Sequence, residues 1–223
     1  IEEQGEKIVF GALTTFQQLL KSELFKQSAP FVLEGAASVG APQIRNRGTI
    51  GGNIVNASPA ADGVPALIAM RAEAELRSKD ETKTMPLESI FKIPCSTILS
   101  KNQLLTRITV KKQQKDDIFF YEKLGQRKSL CIAKASVAFY ANMKQGRMSN
   151  VSIVLGAVGP TFIRAESAEK MLEQQVLNMN LIEKAADEAA SAAQPITDIR
   201  SNQDYRREMI KSLIIRRFKR MKI

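Results

Sequence analysis

The residues of this chain best suited to chemistry lie between Arg45 and Met70, in "RNRGTIGGNIVNASPAADGVPALIAM". A bare pair, Gly51-Gly52, sits between Thr49-Ile50 and Asn53, and Asn56, Ser58 and Asp62 follow before an apolar run. No Gly-Lys-Ser/Thr closes the segment as a P-loop requires, and the G-x-G-x-x-G spacing of dinucleotide folds is absent. Two readings of the pair stay open. It is a bulge or tight turn that uses glycine's left-handed backbone, or it lines up backbone N–H groups as a nest for an anion, with no Cβ to hold off a diphosphate. The short polar neighbours favour the nest. Asp62 cannot attract a diphosphate by charge, so it suits a hydroxyl donor such as a ribose or ribityl group, or else caps a helix starting near Pro65. Arg45 offers charge to a phosphate, or simply ends a helix in solvent. Lys123, in "FYEKLGQRKS", falls inside an apolar strand. There its ammonium needs an anionic partner, such as a flavin ring edge, or must snorkel to water.

Composition narrows the chemistry further. The chain has 223 residues and no histidine, which excludes Ser–His and Cys–His nucleophiles and histidine-held metals. Cys95 and Cys131 are too few for an iron–sulfur cluster; they read as free core thiols in a reducing compartment. Any redox chemistry therefore falls to an organic cofactor or to a partner. The net charge of +10 raises nucleic acid as a ligand. The charge is dispersed, however, with local excess only in "RRFKRMKI" at the C-terminus and "QRKS" at 126–129, and no recognition motif accompanies it. The expectation is no nucleic acid, and a basic face turned to an anionic cofactor or an acidic partner. No apolar run approaches the length of a membrane span and no signal segment opens the chain, so no membrane and a cytoplasmic location are expected.

The elements that must hold these residues follow from periodicity and punctuation. "KIVFGAL" (7–13) reads as a buried strand ended by Gly11, and "TTFQQLLKSE" as a helix with a capping box at Thr14/Gln17 or Thr15/Gln18. "APFVLEGAASV" (29–39) is a helix that stops before Pro42; its Gly35, Ala36 and Ala37 let a neighbour approach. "PALIAMRAEAEL" passes from helix to strand, "TMPLESIFK" is a short turn or helix, and "LLTRITVKK" is a strand. The charged run "KKQQKDD" (111–117) marks a junction between residues 1–114 and 115–223. Beyond it "IFFYEKL", "CIAKASVAFYAN" and "NVSIVLGAVGP" alternate as three antiparallel strands, with Gly146 turning the second into the third. Three helices follow, at 166–176, 181–193 and 201–221. The last carries a capping box at Ser201/Asp204 and an apolar stripe through Tyr205, Met209, Ile210, Leu213, Ile214 and Phe218, with its arginines opposite. Strands followed by helices give an α+β fold.

With these residues assembled, the chain resembles the flavoprotein (medium) subunit of the molybdenum hydroxylases, the family of carbon monoxide dehydrogenase, xanthine dehydrogenase and nicotinate dehydrogenase. The likeness runs nearly end to end, through "IVFGALTTFQQL", "QIRNRGTIGGNIVNASPAADGVPAL", "YEKLGQRKSLCIAKASVAF", "GAVGPTFIRAESAE" and "PITDIRSNQDYRREM". Its most specific parts are T-I-G-G-N with S-P-x-x-D downstream, and the D-x-R-x-S/N-x-x-Y-R ending. The resemblance implies that residues 1–114 are the second lobe of a vanillyl-alcohol-oxidase (PCMH-type) FAD-binding domain. It implies that 115–223 are a carbon monoxide dehydrogenase flavoprotein C-terminal-like domain, a three-stranded sheet with helices.

It assigns Thr49, Ile50, Gly51, Gly52 and Asn53 to the FAD diphosphate and Asp62 to a further cofactor contact. Val39 and Leu105 fall to the two faces of the isoalloxazine, and Lys123 to its edge. The implied activity is an oxidoreductase subunit that passes electrons from [2Fe-2S] clusters on an iron–sulfur subunit through FAD to an acceptor such as NAD, while a molybdopterin subunit oxidises the substrate. The alternative is a flavin-free remnant that only docks partner subunits. The family begins with a further lobe carrying an A-G-G loop, the other half of the diphosphate cradle. This chain opens at Ile1 in the strand after it, so that lobe is expected on another segment or chain.

Overall fold

The computed structural model describes residues 1–127 and 130–221. Lys128 and Ser129 of the basic run at 126–129, and the last two residues of the basic tail, lie outside the described residues. Strands β1 (Glu2–Gln4) and β2 (Lys7–Gly11) open the chain. Six short helices and turns follow: α1 (Phe16–Lys21), α2 (Glu23–Ser28), α3 (Pro30–Ser38), α4 (Pro42–Arg47), α5 (Ile50–Val55) and α6 (Pro65–Ala69). Then come β3 (Glu73–Arg77), β4 (Thr82–Pro86), a 3-10 turn at Leu87–Ile90, the small pair β5 (Phe91–Ile93) and β6 (Ser96–Thr97), and β7 (Leu104–Lys111). The first sheet is antiparallel throughout, in the order β1-β2-β7-β3-β4.

Local chemistry sets most of these boundaries. Of the two capping boxes open at the first helix, the structure uses Thr15 and Gln18: the Gln18 N–H donates to Thr15 Oγ1 at 3.2 Å and the Thr15 N–H to Gln18 Oε1 at 2.8 Å. Helix α3 ends at Ser38, and Pro42 opens α4 at a position where a missing N–H is harmless. The glycine of α3 acts as expected. A Cβ on Gly35 would lie 2.9 Å from the backbone oxygen of Asp62, so this bare position lets the segment before α6 run directly against α3. The approach fixes where Asp62 sits.

The second sheet is built from β8 (Ile118–Leu124), β9 (Ala135–Lys144), β10 (Arg147–Gly156) and β11 (Ile163–Arg164), in the order β11-β10-β9-β8. The three expected strands form it, and a two-residue fourth strand extends its edge. The three-stranded sheet is therefore corrected to four. So short a strand carries no periodicity for a sequence pattern to reveal. Gly146, at φ +75°, makes the turn between β9 and β10. Helices α7 (Glu166–Leu172), α8 (Met179–Ala192) and α9 (Gln203–Arg220) complete the chain. Helix α9 is capped by Asn202, whose Oδ1 accepts the Tyr205 N–H at 2.7 Å, in place of Ser201.

Both faces of this sheet are buried. Tyr121, Ala138, Tyr140 and Val154 join one core with α1–α6 and the first sheet, and Phe120, Val137, Phe139, Ile153 and Leu155 join another with α7–α9. The Phe120, Phe139 and Phe218 rings interlock at centroid distances of 5.0–5.4 Å. On the other face Phe31 of α3 stacks on Tyr140 at 6.0 Å. Successive side chains along one strand thus serve two cores, and Tyr121 and Lys123, on the first face, meet α3 and the Asp62 segment.

Candidate functional site

Segment 49–53, expected as a glycine loop, is the first turn of helix α5, with Thr49 as N-cap. Neither Gly51 nor Gly52 has a positive φ, which overturns the reading that they serve left-handed backbone. Their bareness is about packing, and differs between the two. A Cβ on Gly51 would lie 2.5 Å from Ala12 Cβ and 2.6 Å from its carbonyl oxygen, so this glycine is pressed against the residue that follows β2. A Cβ on Gly52 would meet only Thr49 Oγ1, at 2.9 Å. Gly52 is exposed and faces open space.

The nest of free N–H groups is also absent. Ile50 donates to Thr14 O at 2.9 Å, Gly51 to Ala12 O at 2.8 Å, Gly52 to Thr49 Oγ1 at 3.1 Å and Asn53 to Thr49 O at 3.0 Å. What the turn still offers is the Thr49 hydroxyl. It accepts from Gly52 and donates to no acceptor among the described residues. Asn53 Oδ1 is buried without a partner, next to Gly63, whose added Cβ would lie 2.9 Å from it. An unmet buried oxygen of this kind is rare in a folded chain.

The second half of the site gathers around Asp62, which is buried at 8 % exposure. Lys123 Nζ donates to Asp62 Oδ2 at 2.5 Å and to Ser38 O, at the end of α3, at 3.1 Å. The Tyr121 hydroxyl donates to Asp62 Oδ1 at 2.8 Å. So Lys123 neither snorkels nor waits for a ligand: its anionic partner is Asp62, which in turn is no helix cap. Burial pushes the Asp62 carboxyl up from its ordinary range, against the opposing pull of Lys123 and Tyr121. Burial and the Asp62 charge together hold the Tyr121 phenol well above its usual value, so it stays a donor. Tyr121 was not among the residues singled out from the sequence. Its signal was there: it stands two residues before Lys123 in an alternating strand, and so on the same face.

The remaining candidates fall around these two groups. Val39 follows Ser38 at the end of α3, 9 % exposed, and its carbonyl accepts from Arg45 Nη1 at 2.9 Å. Arg45 also reaches Ala37 O at 3.3 Å. It therefore closes the end of α3 and is not held out as a free charge. Leu105, 8 % exposed, pairs with Leu76 in the first sheet. Its neighbour Thr106 accepts the Ala12 N–H at 2.9 Å, and Ala12 is the residue Gly51 rests on. The structure thus joins Val39, Asp62 and Lys123 in one cluster. It ties Leu105 to the glycine turn through Ala12, and Asn53 to the Asp62 segment through Gly63.

Two further expectations fail. Cys95 is exposed with φ +57°, and Cys131 is half-buried, so neither is a core thiol. The arginines of α9 are not an unpaired basic face: Arg216 pairs with Glu122 at 2.9 Å, Arg217 lies 3.8 Å from Glu34, and Arg206 is buried at 4 % exposure. The Asp198–Arg206 ending is an internal clamp. Asp198 takes Arg206 Nη2 at 2.6 Å, Arg200 Nη1 at 3.0 Å and the Arg200 N–H at 2.8 Å. Among the described residues no group of His, Cys, Asp and Glu could hold a metal, and no helix is long and apolar enough to cross a membrane.

Comparison with known proteins is consistent along the whole chain. Residues 1–111 match the family model described as the FAD binding domain in molybdopterin dehydrogenase, and residues 120–221 the CO dehydrogenase flavoprotein C-terminal domain. The carbon monoxide dehydrogenase medium chain of Hydrogenophaga pseudoflava is 31% identical over 97% of this chain and 75% of its own length. The glyceraldehyde dehydrogenase medium chain of Sulfolobus acidocaldarius is 32% identical over 95% of this chain and 75% of its own. A chain in the solved structure of the H. pseudoflava carbon monoxide dehydrogenase that lacks the Mo-pyranopterin moiety of its cofactor superposes with a TM-score of 0.93. Its identity is 31%, covering 96% of this chain and 75% of that one.

Proposed function

Because this chain belongs to the medium, FAD-binding subunits of the molybdenum hydroxylases, a family of oxidoreductase subunits, we propose that it holds FAD and relays electrons. They would come from [2Fe-2S] clusters on an iron–sulfur subunit and leave to an acceptor such as NAD, while a molybdopterin subunit oxidises the substrate. FAD supplies the redox chemistry when bound; this chain contributes position and charge. Residues 1–114 serve as one lobe of the FAD domain and 115–223 as the C-terminal domain. The lobe with the A-G-G loop is contributed by another segment or chain. The assembly works in the cytoplasm.

The observation that carries this reading is the open Gly52 at the start of α5, beside the Thr49 hydroxyl, whose proton has no acceptor among the described residues, and the unmet Asn53 oxygen. The residues present fit the cofactor there. Gly52 lets a diphosphate come up to the backbone, the Thr49 hydroxyl donates to it, and Asn53 takes a hydroxyl. Val39 and Leu105 supply apolar surface for the flavin ring. Lys123 has three N–H groups and uses two of them, on Asp62 and Ser38. The third brings a positive charge to the ring edge while Asp62, itself fixed by the Tyr121 hydroxyl, and the Ser38 carbonyl hold the ammonium in place.

One observation favours the flavin-free docking role instead: the N–H groups of residues 50–53 are all bonded within the chain. Copurification with the partner subunits separates the two readings. Stoichiometric flavin absorbance, lost in Gly52→Val at unchanged folding, is the expected result. An assembled complex without flavin bands would leave docking as the function.

A further inference from the structure

Away from the flavin residues, a cavity of about 460 Å³ opens where the first sheet meets the second. Three cations from three elements converge on it: Arg71 after α6, Lys111 at the end of β7 and Lys144 at the end of β9. None of the three makes an ion pair or a side-chain hydrogen bond with a described residue, while Lys112 beside them is paired with Glu3. All three residues are exposed, so an anion entering the cavity can reach their charges. Arg71, at φ +54°, ends α6 in a left-handed cap, its N–H donating to Ile68 O at 2.8 Å and the Ala72 N–H to Leu67 O at 2.9 Å, which fixes the backbone of this residue at the cavity.

The floor is polar and rigid. Asp117, the acid among the lining residues, is buried and saturated: it accepts from the Tyr140 hydroxyl at 2.5 Å, Asn142 Nδ2 at 2.8 Å and the Gln114 N–H at 2.8 Å. Asn150 Nδ2 extends the chain to Asn142 Oδ1 at 2.9 Å. The Asn150 oxygen and the Gln114 side-chain amide remain for a ligand, and Met70 and Met143 give apolar wall. The volume suits a small metabolite. Lysine ammonium groups beside one guanidinium match a phosphate's concentrated charge.

We propose that this seam cavity binds a small phosphorylated metabolite, its phosphate among Arg71, Lys111 and Lys144 and its hydroxyl groups on Asn150 and Gln114. Contributed by both sheets, the site would tie the two halves of the chain together when filled. The proposal shares no residue with the flavin reading and stands or falls without it.

The test is calorimetric titration of the full chain, in its subunit complex, with ribose 5-phosphate, inorganic phosphate and ribose at matched ionic strength. Saturable binding of ribose 5-phosphate is expected, at least tenfold tighter than inorganic phosphate, with no binding of ribose. Lys111→Ala and Lys144→Ala, both at exposed positions, should each weaken it about tenfold, whereas Gly52→Val should leave it unchanged. Absence of saturable binding would overturn the proposal, as would affinity untouched by both lysine substitutions or equal affinity for inorganic phosphate. Loss in Gly52→Val with retention in the lysine variants would assign the phosphate to the flavin turn and refute the seam site.

Discussion

Two buried cations in this molecule solve the same electrostatic problem in opposite ways. Lys123 and Arg206 have side chains 11% and 5% exposed, and each meets one carboxylate and backbone carbonyls. Arg206 divides its guanidinium among Asp198, Lys134 O at 3.1 Å and Ala157 O at 3.0 Å. Its planar fork pins the ends of two strands to the turn before its own helix. Lys123 is a point charge with a donor left over, held between α3 and the segment before α6. The carboxylates diverge accordingly. Desolvation at Asp198 is outweighed by the Arg200 N–H and the Arg206 and Arg200 guanidiniums, which hold its pKa down at about 2. At Asp62 desolvation wins and the pKa rises. Arg206 spends both terminal nitrogens on the fold and keeps only its buried Nε–H unpaired, whereas the Lys123 ammonium keeps one N–H beside the residues proposed for the flavin.

The comparison breaks first at Asp62. Asp62→Asn leaves the Lys123 ammonium buried without its counter-charge, a change that costs about 3–5 kcal/mol, less the desolvation relieved at position 62. Adding Lys123→Met removes the stranded charge and should recover most of the loss. Denaturant titration of the single and double variants decides it, and a double variant no more stable than the single would refute the electrostatic account. Arg206→Met should cost somewhat less, about 2–3 kcal/mol, because Asp198 can still reach water while the two carbonyls lose their donor. Arg206→Lys should rescue little, since a point charge cannot span three acceptors. If Arg206 is purely a clamp, the flavin content of the molecules that remain folded stays at the parent level.

The two glycines sharpen the contrast on a smaller scale. Gly51→Ala drives a Cβ into Ala12 and should destabilise the chain by about 1–3 kcal/mol. Gly52→Ala gains helix propensity and disturbs only the Thr49 cap, leaving stability within about 1 kcal/mol, yet it should weaken flavin binding more than Gly51→Ala does relative to folding. Thermal unfolding with and without flavin measures both, and identical profiles for the two variants would contradict the division of roles.

The smallest effect is in acid. A depressed folded-state pKa at Asp198 contributes stability above its unfolded value near 3.8 that is lost as pH falls towards about 2. The raised pKa of Asp62 works the other way: its contribution is present below the unfolded value and is lost as pH rises through the folded one. Asp198→Asn should therefore flatten the loss of stability between about pH 4 and pH 2, and Asp62→Asn should not. Equal slopes for both variants in acid titrations followed by circular dichroism would show that the two carboxylates do not differ.

By itself the sequence determined the longer elements and their order, from the strand at 7–11 to the three C-terminal helices, because capping pairs, the Gly146 turn and strand alternation act over a few residues. Strands β1 and β11 and the short helices α2, α4 and α5 carry no such pattern. The sequence also singled out Asp62 and Lys123, which the fold brings together, since a lysine in an apolar strand is costly wherever it falls. It could not tell that Thr49–Asn53 are helical, that their N–H groups are already bonded, or that one glycine packs inward while the other faces out. Nor could it tell that Lys123 meets Asp62 across 61 residues, with Tyr121 as the third member, while Arg206 is buried among residues that look solvated in a basic helix. Those outcomes depend on which surfaces come into contact. Gly35 admits the Asp62 backbone, and the second sheet is covered on both faces. Whether a charge is paired, stranded or free is settled by long-range packing, which no local pattern encodes.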